Sequence, residues 1–169
     1  DHLSKGRLIV GIGRGSVANH YEYRGFGVTL EMGFGALNEM EELLIKAWTQ
    51  KDVVHSGQYW DIAFPILRPQ PYTKPHPPII RSGISDGSIQ AMAKACRPLL
   101  MGGVDVDGMR ERLDLYRATA SEAGHSDEAI QEAVDEIWFT VDLLVADSSK
   151  EAHTLAEKHL AIEQDYLWE

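Results

Sequence analysis

Cysteine is almost missing: Cys96 is the one example in 169 residues. An internal disulfide is thereby excluded, the thiolate-rich zinc sites go with it, and a reducing, cytoplasmic setting is expected. Long apolar runs are also absent. No stretch approaches the roughly 20 residues of a membrane-spanning helix, and no basic-then-apolar leader opens the sequence, so no membrane is expected as a partner. Basic clusters are scarce, with 16 Lys and Arg against 26 Asp and Glu and a formal net charge of -10. Without a basic block to follow a phosphate backbone, no nucleic acid partner is expected. The histidines include no His-Glu-x-x-His pair, and His55 and His76 lack an evident third ligand, so no metal site is predicted.

A hydrophobic fraction of 44% is enough to bury a core, and the length suits a single domain spanning residues 1–169. The sequence opens on Asp1 rather than Met and runs almost at once into an apolar segment, which leads to the expectation of a piece of a longer chain.

Arg7 to Gly13 is rich in Leu, Ile and Val and ends in glycine, the pattern of a strand buried on both faces of a parallel sheet. From Ala36 to Gln50, Leu37, Met40, Leu44, Ala47 and Trp48 recur at helical spacing, with Glu39, Glu41, Glu42 and Lys46 largely between them. Residues 51–77 read as an excursion: a short hairpin around "SGQYWDI", then "PQPYTKPHPP", whose prolines suit neither a helix nor a central ladder. Pro78 to Arg81 reads as a second strand, followed by "SGISDGS", in which Ser85 is placed to cap a helix carrying Ile89, Met92, Ala93 and Cys96. Pro98 to Met101 is a third strand. A helix through Val106, Met109, Leu113, Tyr116 and Ala120 stops near Gly124, and "EIWFTVDLLVA" reads as the clearest strand of all. The acidic residues just before it, Glu132 to Glu136, read as a solvated face, while Ser148 and Glu151 form a capping box for a last helix to about Glu163. Strands alternating with helices imply an α/β fold of parallel strands, either an open doubly wound sheet or part of an eight-stranded barrel. In both, chemistry sits at the C-terminal ends of the strands.

"LIVGIGRGS" is the first candidate site. A dinucleotide fingerprint needs G-x-G-x-x-G with a helix starting at once, whereas Gly11, Gly13 and Gly15 give G-x-G-x-G followed by "VANHYEYRGFG", a poor helix. No Gly-Lys-Ser/Thr follows, which excludes a P-loop. Glycine also permits a sharp bend at a strand end, but that leaves Arg14, a guanidinium placed where ligands bind and suited to a phosphate. The second candidate is "SGISDGS", where Ser85 and Ser88 stand at a predicted helix N-terminus that favours an anion. Together the two stretches describe a clamp for one phosphoryl group.

"DHLSKGRLIVGIGRGS", "YRGFGV", "ALNEMEELLIKAWT", "GQYW", "PQPYTKPHPPII" and "SGISDGSIQAMAKACRPLL", in this order and spacing, resemble the bacterial luciferase-like flavin-dependent monooxygenases. The resemblance is strong from Asp1 to about Gly103 and rests beyond that on the helix and strand pattern. It implies a partial (β/α)8 TIM barrel of about four parallel strands, strands four to seven, since a full member is about twice as long. It implies reduced FMN as cofactor, with Arg14 and the adjoining Gly15, Ile84, Ser85 and Ser88 at the phosphate. O2 and a small organic substrate such as an aldehyde, ketone or sulfonate would react there, with a flavin reductase as partner and a homo- or heterodimer as the assembly. A deazaflavin-dependent oxidoreductase of the same barrel, or a non-catalytic FMN-binding flavoprotein, are the alternatives. One departure is "GFGALNEM", where the family usually has an arginine and an aromatic residue ahead of the acidic position.

No catalytic residue is assigned. His20, beside Tyr21 and Glu22, is the best candidate for proton transfer, although a solvated loop histidine has the same sequence signature. Asp105 to Gly108 matches the start of a calcium loop but lacks the later ligands and reads as a turn into a helix. Trp48 and Trp138 are expected in the core, Tyr59 and Trp60 as a cap on the barrel, and Cys96 as a small apolar filler. Four strands alone leave two open edges and an uncovered apolar face, which favours dimerisation.

Overall fold

The computed structural model describes the chain apart from residues 16–22, 24, 104, 142, 168 and 169, and apart from the side chains of residues 34 and 159–167. Strand β1 (Val10–Ile12) leads to helix α1 (Gly33–Thr49), then to β2 (Val53–Ser56) and β3 (Asp61–Phe64). Next come β4 (Ile79–Ser82), α2 (Asp86–Lys94), β5 (Leu99–Met101) and α3 (Val106–Glu122). The chain continues through α4 (Asp127–Asp135), β6 (Trp138–Phe139) and α5 (Ser149–Leu167).

β1, β4, β5 and β6 form one parallel sheet in that spatial order, while β2 and β3 form a separate antiparallel hairpin, the expected excursion. Each new strand of the parallel sheet is added on the same side of the last. A doubly wound sheet needs a point where the order reverses, and this sheet has none. Right-handed crossovers that always step the same way put their helices on one face, which is the geometry of a barrel sector.

The core lies between that helical layer and the sheet. Ile89, Met92 and Ala93 of α2, Leu99 and Met101 of β5, Tyr116 and Ala120 of α3, and Ile130 and Ala133 of α4 form one buried cluster. The Tyr116 hydroxyl reaches the Arg97 carbonyl at 3.0 Å; burial, with a smaller contribution from Cys96, pushes its pKa up to about 12. Cys96 packs against the cluster, as its small apolar character suggested.

Readings of both edge strands need correction. β1 is not buried on both faces: Leu8 and Ile9 are 39% and 43% exposed, because β1 is an edge strand with helices over one side only. Among the described residues "EIWFTVDLLVA" pairs as a strand at Trp138 and Phe139, with the Thr140 amide also donating to the Met101 carbonyl at 2.8 Å, and Trp138 is itself exposed rather than core, since β6 lies on the other edge beside the short β5. The acidic residues before it, Glu132, Asp135 and Glu136, are exposed as expected of a solvated face; the stretch belongs to α4, whose inner face buries Ile130 and Ala133 and whose N-terminus is capped by Ser126. The caps at Ser85 and Ser148 stand as expected, and Asp105, read as part of a turn into a helix, caps α3 in the same way; each accepts from a backbone N–H three residues on.

Candidate functional site

The parallel register aligns Val10 with Ile79 and Ile12 with Arg81, so β1 and β4 leave the sheet side by side at the same end. A Cβ on Gly13 would stand 3.8 Å from the Ser82 Cβ, an ordinary contact that shows how closely the two chains emerge. Arg14 and Gly15 continue from β1, and Gly83, Ile84 and Ser85 continue from β4. Gly15 has φ +83°, and a side chain there would press on the Tyr23 hydroxyl, which donates to the Arg14 carbonyl. Of the three glycines in G-x-G-x-G, Gly15 is the one whose backbone requires the residue.

On the β4 side the turn is tight. Gly83 is buried and donates to the Leu100 carbonyl at 3.0 Å, and a Cβ there would lie 2.8 Å from a Leu99 methyl. Ser85 is extended and caps α2: its Oγ lies 3.3 Å from the Ser88 amide and 2.9 Å from the Ser88 Oγ. The two hydroxyls therefore sit together over a helix N-terminus, where backbone N–H groups and the helix dipole favour negative charge.

Beside this rim opens a cleft of about 460 Å³ between the end of β1, α1 and the hairpin. Its wall includes Arg14, Tyr23, Phe26, Leu37, Met40 and Trp60. An apolar, aromatic lining that includes the Arg14 guanidinium suits a ring-bearing ligand with an anionic end. Arg14 and Gly15 line this cleft, whereas Ile84, Ser85 and Ser88 stand outside its lining, at the neighbouring strand end. Trp60, expected to cap the barrel, is part of the wall. His20, Tyr21 and Glu22 lie outside the described residues. Among the described residues no group of His, Cys, Asp and Glu is arranged to hold a metal ion.

Sequence reasoning missed a polar cluster behind the Trp60 wall. Glu39 of α1 accepts from the backbone amides of Gln58 at 2.9 Å and Trp60 at 2.9 Å, with the Tyr59 amide shared between both oxygens. His55, which is buried, is 3.1 Å from Glu39 through Nε2 and 3.4 Å from the Lys46 ammonium through Nδ1. Lys46 can only donate, so Nδ1 accepts and Nε2 carries the proton toward Glu39. Burial tends to raise the Glu39 pKa, but the bonds from His55 and from the Trp60, Tyr59 and Gln58 amides outweigh it and hold the carboxyl below its ordinary value. The "GQYW" signal had marked the turn, but nothing local linked it to Glu39.

The sequence model of the luciferase-like monooxygenases matches residues 1–167. The chain belongs to the luciferase-like monooxygenase family. Among curated members of this family, the oxygenase component of the flavin-dependent trigonelline monooxygenase of Acinetobacter baylyi is 28% identical over 94% of this chain and 42% of its own. The FMNH2-dependent dimethylsulfone monooxygenase of Pseudomonas putida is 25% identical over 75% of this chain and 35% of its own. The crystal structure of the monooxygenase RslO1 from Streptomyces bottropensis superposes with a TM-score of 0.70 at 25% identity, covering 94% of this chain and 47% of that one. The chain thus spans less than half the length of these luciferase-like relatives. The oxygenating constituent of 3,6-diketocamphane monooxygenase from Pseudomonas putida, solved in complex with FMN, shares the fold with a TM-score of 0.71 at 20% identity, over 93% of this chain and 45% of its own. Such neighbours make the four-stranded sheet a sector of a luciferase-like TIM barrel.

Proposed function

We propose that this protein acts in flavin-dependent monooxygenation, using reduced FMN and O2 to oxidise a small organic substrate, with a separate flavin reductase supplying the reduced cofactor. The observation that carries the reading is the emergence of Arg14 and of the Ser85–Ser88 turn from the same end of adjacent parallel strands, beside an apolar cleft. Those residues fit FMN: a guanidinium and paired hydroxyls over a helix N-terminus for its phosphate, and an aromatic wall for its ring system. The names of the relatives support the same reaction class, and the term oxygenase component supports a reductase partner.

Reduced FMN, when bound, supplies the electrons for oxygen activation. The chain's own residues anchor and shield it. Arg14 would pair with the phosphate, the Ser85–Ser88 hydroxyl pair, whose mutual bond leaves one proton free, would donate to it, and the backbone amides at Ile84 and Ser85 would add further donors. Phe26, Leu37, Met40 and Trp60 exclude water from the ring, which protects a reactive site from unproductive side reactions.

The test compares FMN with riboflavin, which lacks the phosphate. Removing a charged hydrogen-bonding partner is worth about 1.5–3 kcal/mol, so Arg14→Ala is expected to weaken FMN binding roughly 10- to 100-fold and leave riboflavin binding unchanged. Equal losses for both ligands, or none for either, overturn the phosphate assignment. Preference for a deazaflavin over FMN, or FMN binding without NADH-driven O2 consumption when a flavin reductase and organic substrates are supplied, overturns the monooxygenase reading.

A further inference from the structure

Glu39 projects from the same helix that carries Leu37 and Met40 into the cleft, yet its carboxylate turns to the hairpin tip. Only 11% of that side chain is exposed, and four donors converge on it: His55 Nε2 and the amides of Gln58, Tyr59 and Trp60. The helix and the hairpin tip approach closely around it. A Cβ on Gly57 would collide with the carboxylate and the His55 ring, and one on Gly35 would collide with the Tyr59 hydroxyl. Both glycines let helix and hairpin close on each other, and the tip they permit delivers Trp60 to the cleft wall.

We propose that Glu39 is a positioning residue: by gripping the three consecutive amides of Gln58–Trp60, it sets the Trp60 indole against the cleft and so fixes the shape offered to an aromatic ring bound there. The ligand part of this inference rests on the flavin reading; the grip itself does not. Here one side chain ties Leu37, Met40 and Trp60 into a single frame, so loosening it moves one wall relative to the other. His55 completes the grip, and Lys46, in turn 2.6 Å from Glu42, holds the imidazole in the tautomer that donates to Glu39.

The experiment uses the 169-residue chain with Glu39→Gln, Glu39→Asp, Trp60→Phe and the Glu39→Gln/Trp60→Phe pair, all held well below their melting temperatures. Amide hydrogen exchange, read without any flavin, is expected to speed up at least about tenfold at Gln58, Tyr59 and Trp60 in Glu39→Gln, while Ile89 and Tyr116 in the core stay protected. Glu39→Asp keeps the charge on a shorter stem and is expected to give an intermediate rise, which keeps the test open should Glu39→Gln fail to fold. With FMN as the probe, Glu39→Gln is expected to weaken binding about tenfold and alter the visible circular dichroism of bound flavin. In the Trp60→Phe background the same change is expected to add less than about twofold, because the indole it positions is gone. Unchanged exchange at the three amides overturns the grip. A lowered melting temperature with an unaltered flavin spectrum, or losses that multiply in the double variant, overturns positioning in favour of plain stabilisation. A wild-type chain that binds no FMN overturns the flavin reading instead, and exchange alone then decides the grip.

Discussion

Glu41 is buried on α1, and its two oxygens go to different arginines: Arg81 Nε of β4 at 2.5 Å and Arg97 Nη2, just ahead of β5, at 2.5 Å. Arg81 also reaches Asn38 Oδ1 at 2.8 Å. Each partner neutralises charge that burial would otherwise make costly, so removing the carboxylate strands two cations at once. Glu41→Ala is expected to cost about 3 kcal/mol in urea unfolding. Arg81→Ala is expected to cost more than Arg97→Ala, since Arg81 is 15% exposed and Arg97 is 35% exposed and better able to hydrate. An equal, small loss in all three variants would remove the ion triad from the account of stability. The helix itself was legible from its spacing, and Ala47 of its apolar face is buried as expected, but Glu41 and Leu43 are buried as well, whereas Leu37 and Met40 line the cleft. Periodicity reports that apolar residues share a face, without reporting whether protein or ligand covers it. Arg14 and Ser85 were singled out because each follows within a few residues of an apolar strand, where barrels place ligands; Glu39 and Glu41 were not, because their partners are distant in sequence.

The hairpin behaves as an element with its own pH dependence. In the folded chain Glu39 is held below the ordinary carboxylate pKa by His55 and the three tip amides, against the opposing effect of burial. A carboxyl with a depressed folded pKa contributes stability that is present above its unfolded pKa and lost as pH falls through the folded one. The tip's stabilisation is therefore expected to be fully present above the ordinary carboxylate range and to decline as pH falls through that range toward the lower folded pKa, read as a shift in tryptophan emission absent from Trp60→Phe. Glu39→Gln is expected to flatten that transition; a transition that persists in Glu39→Gln would assign it to another group. The elements themselves were mostly readable because their caps are local: Ser85, Asp105 and Ser148 each announce a helix in four residues. β6 was overread for the opposite reason, since a run of apolar residues forms a ladder only as far as a partner extends, and β5 offers three residues.

At the scale of the whole molecule, the consecutive strand order made the sheet's closure question answerable only in three dimensions. Alternating elements fit two architectures, and the unreversed order β1-β4-β5-β6 selects the barrel sector. That order also leaves β1 and β6 as edges, and the chain beyond β6 carries Val141 at 69%, Leu143 at 84% and Val145 at 82% exposure. Unpaired backbone groups beside exposed apolar side chains are a template for association with another edge. At a net charge of -10, electrostatic repulsion opposes association in general, so contact is favoured where apolar surface is concentrated. The 169-residue chain is expected to self-associate as its concentration rises in sedimentation experiments. Leu143→Lys with Val145→Lys is expected to shift it toward monomer while leaving far-ultraviolet circular dichroism unchanged, because neither side chain contributes to the buried cluster. Added salt distinguishes the cause: screening weakens charge repulsion, so apolar association should strengthen with salt, whereas association driven by ion pairs should weaken. A wild-type chain that remains monomeric at high concentration and high salt would show that these edges are protected by their own local geometry, and would remove the apolar strip after β6 as an association surface.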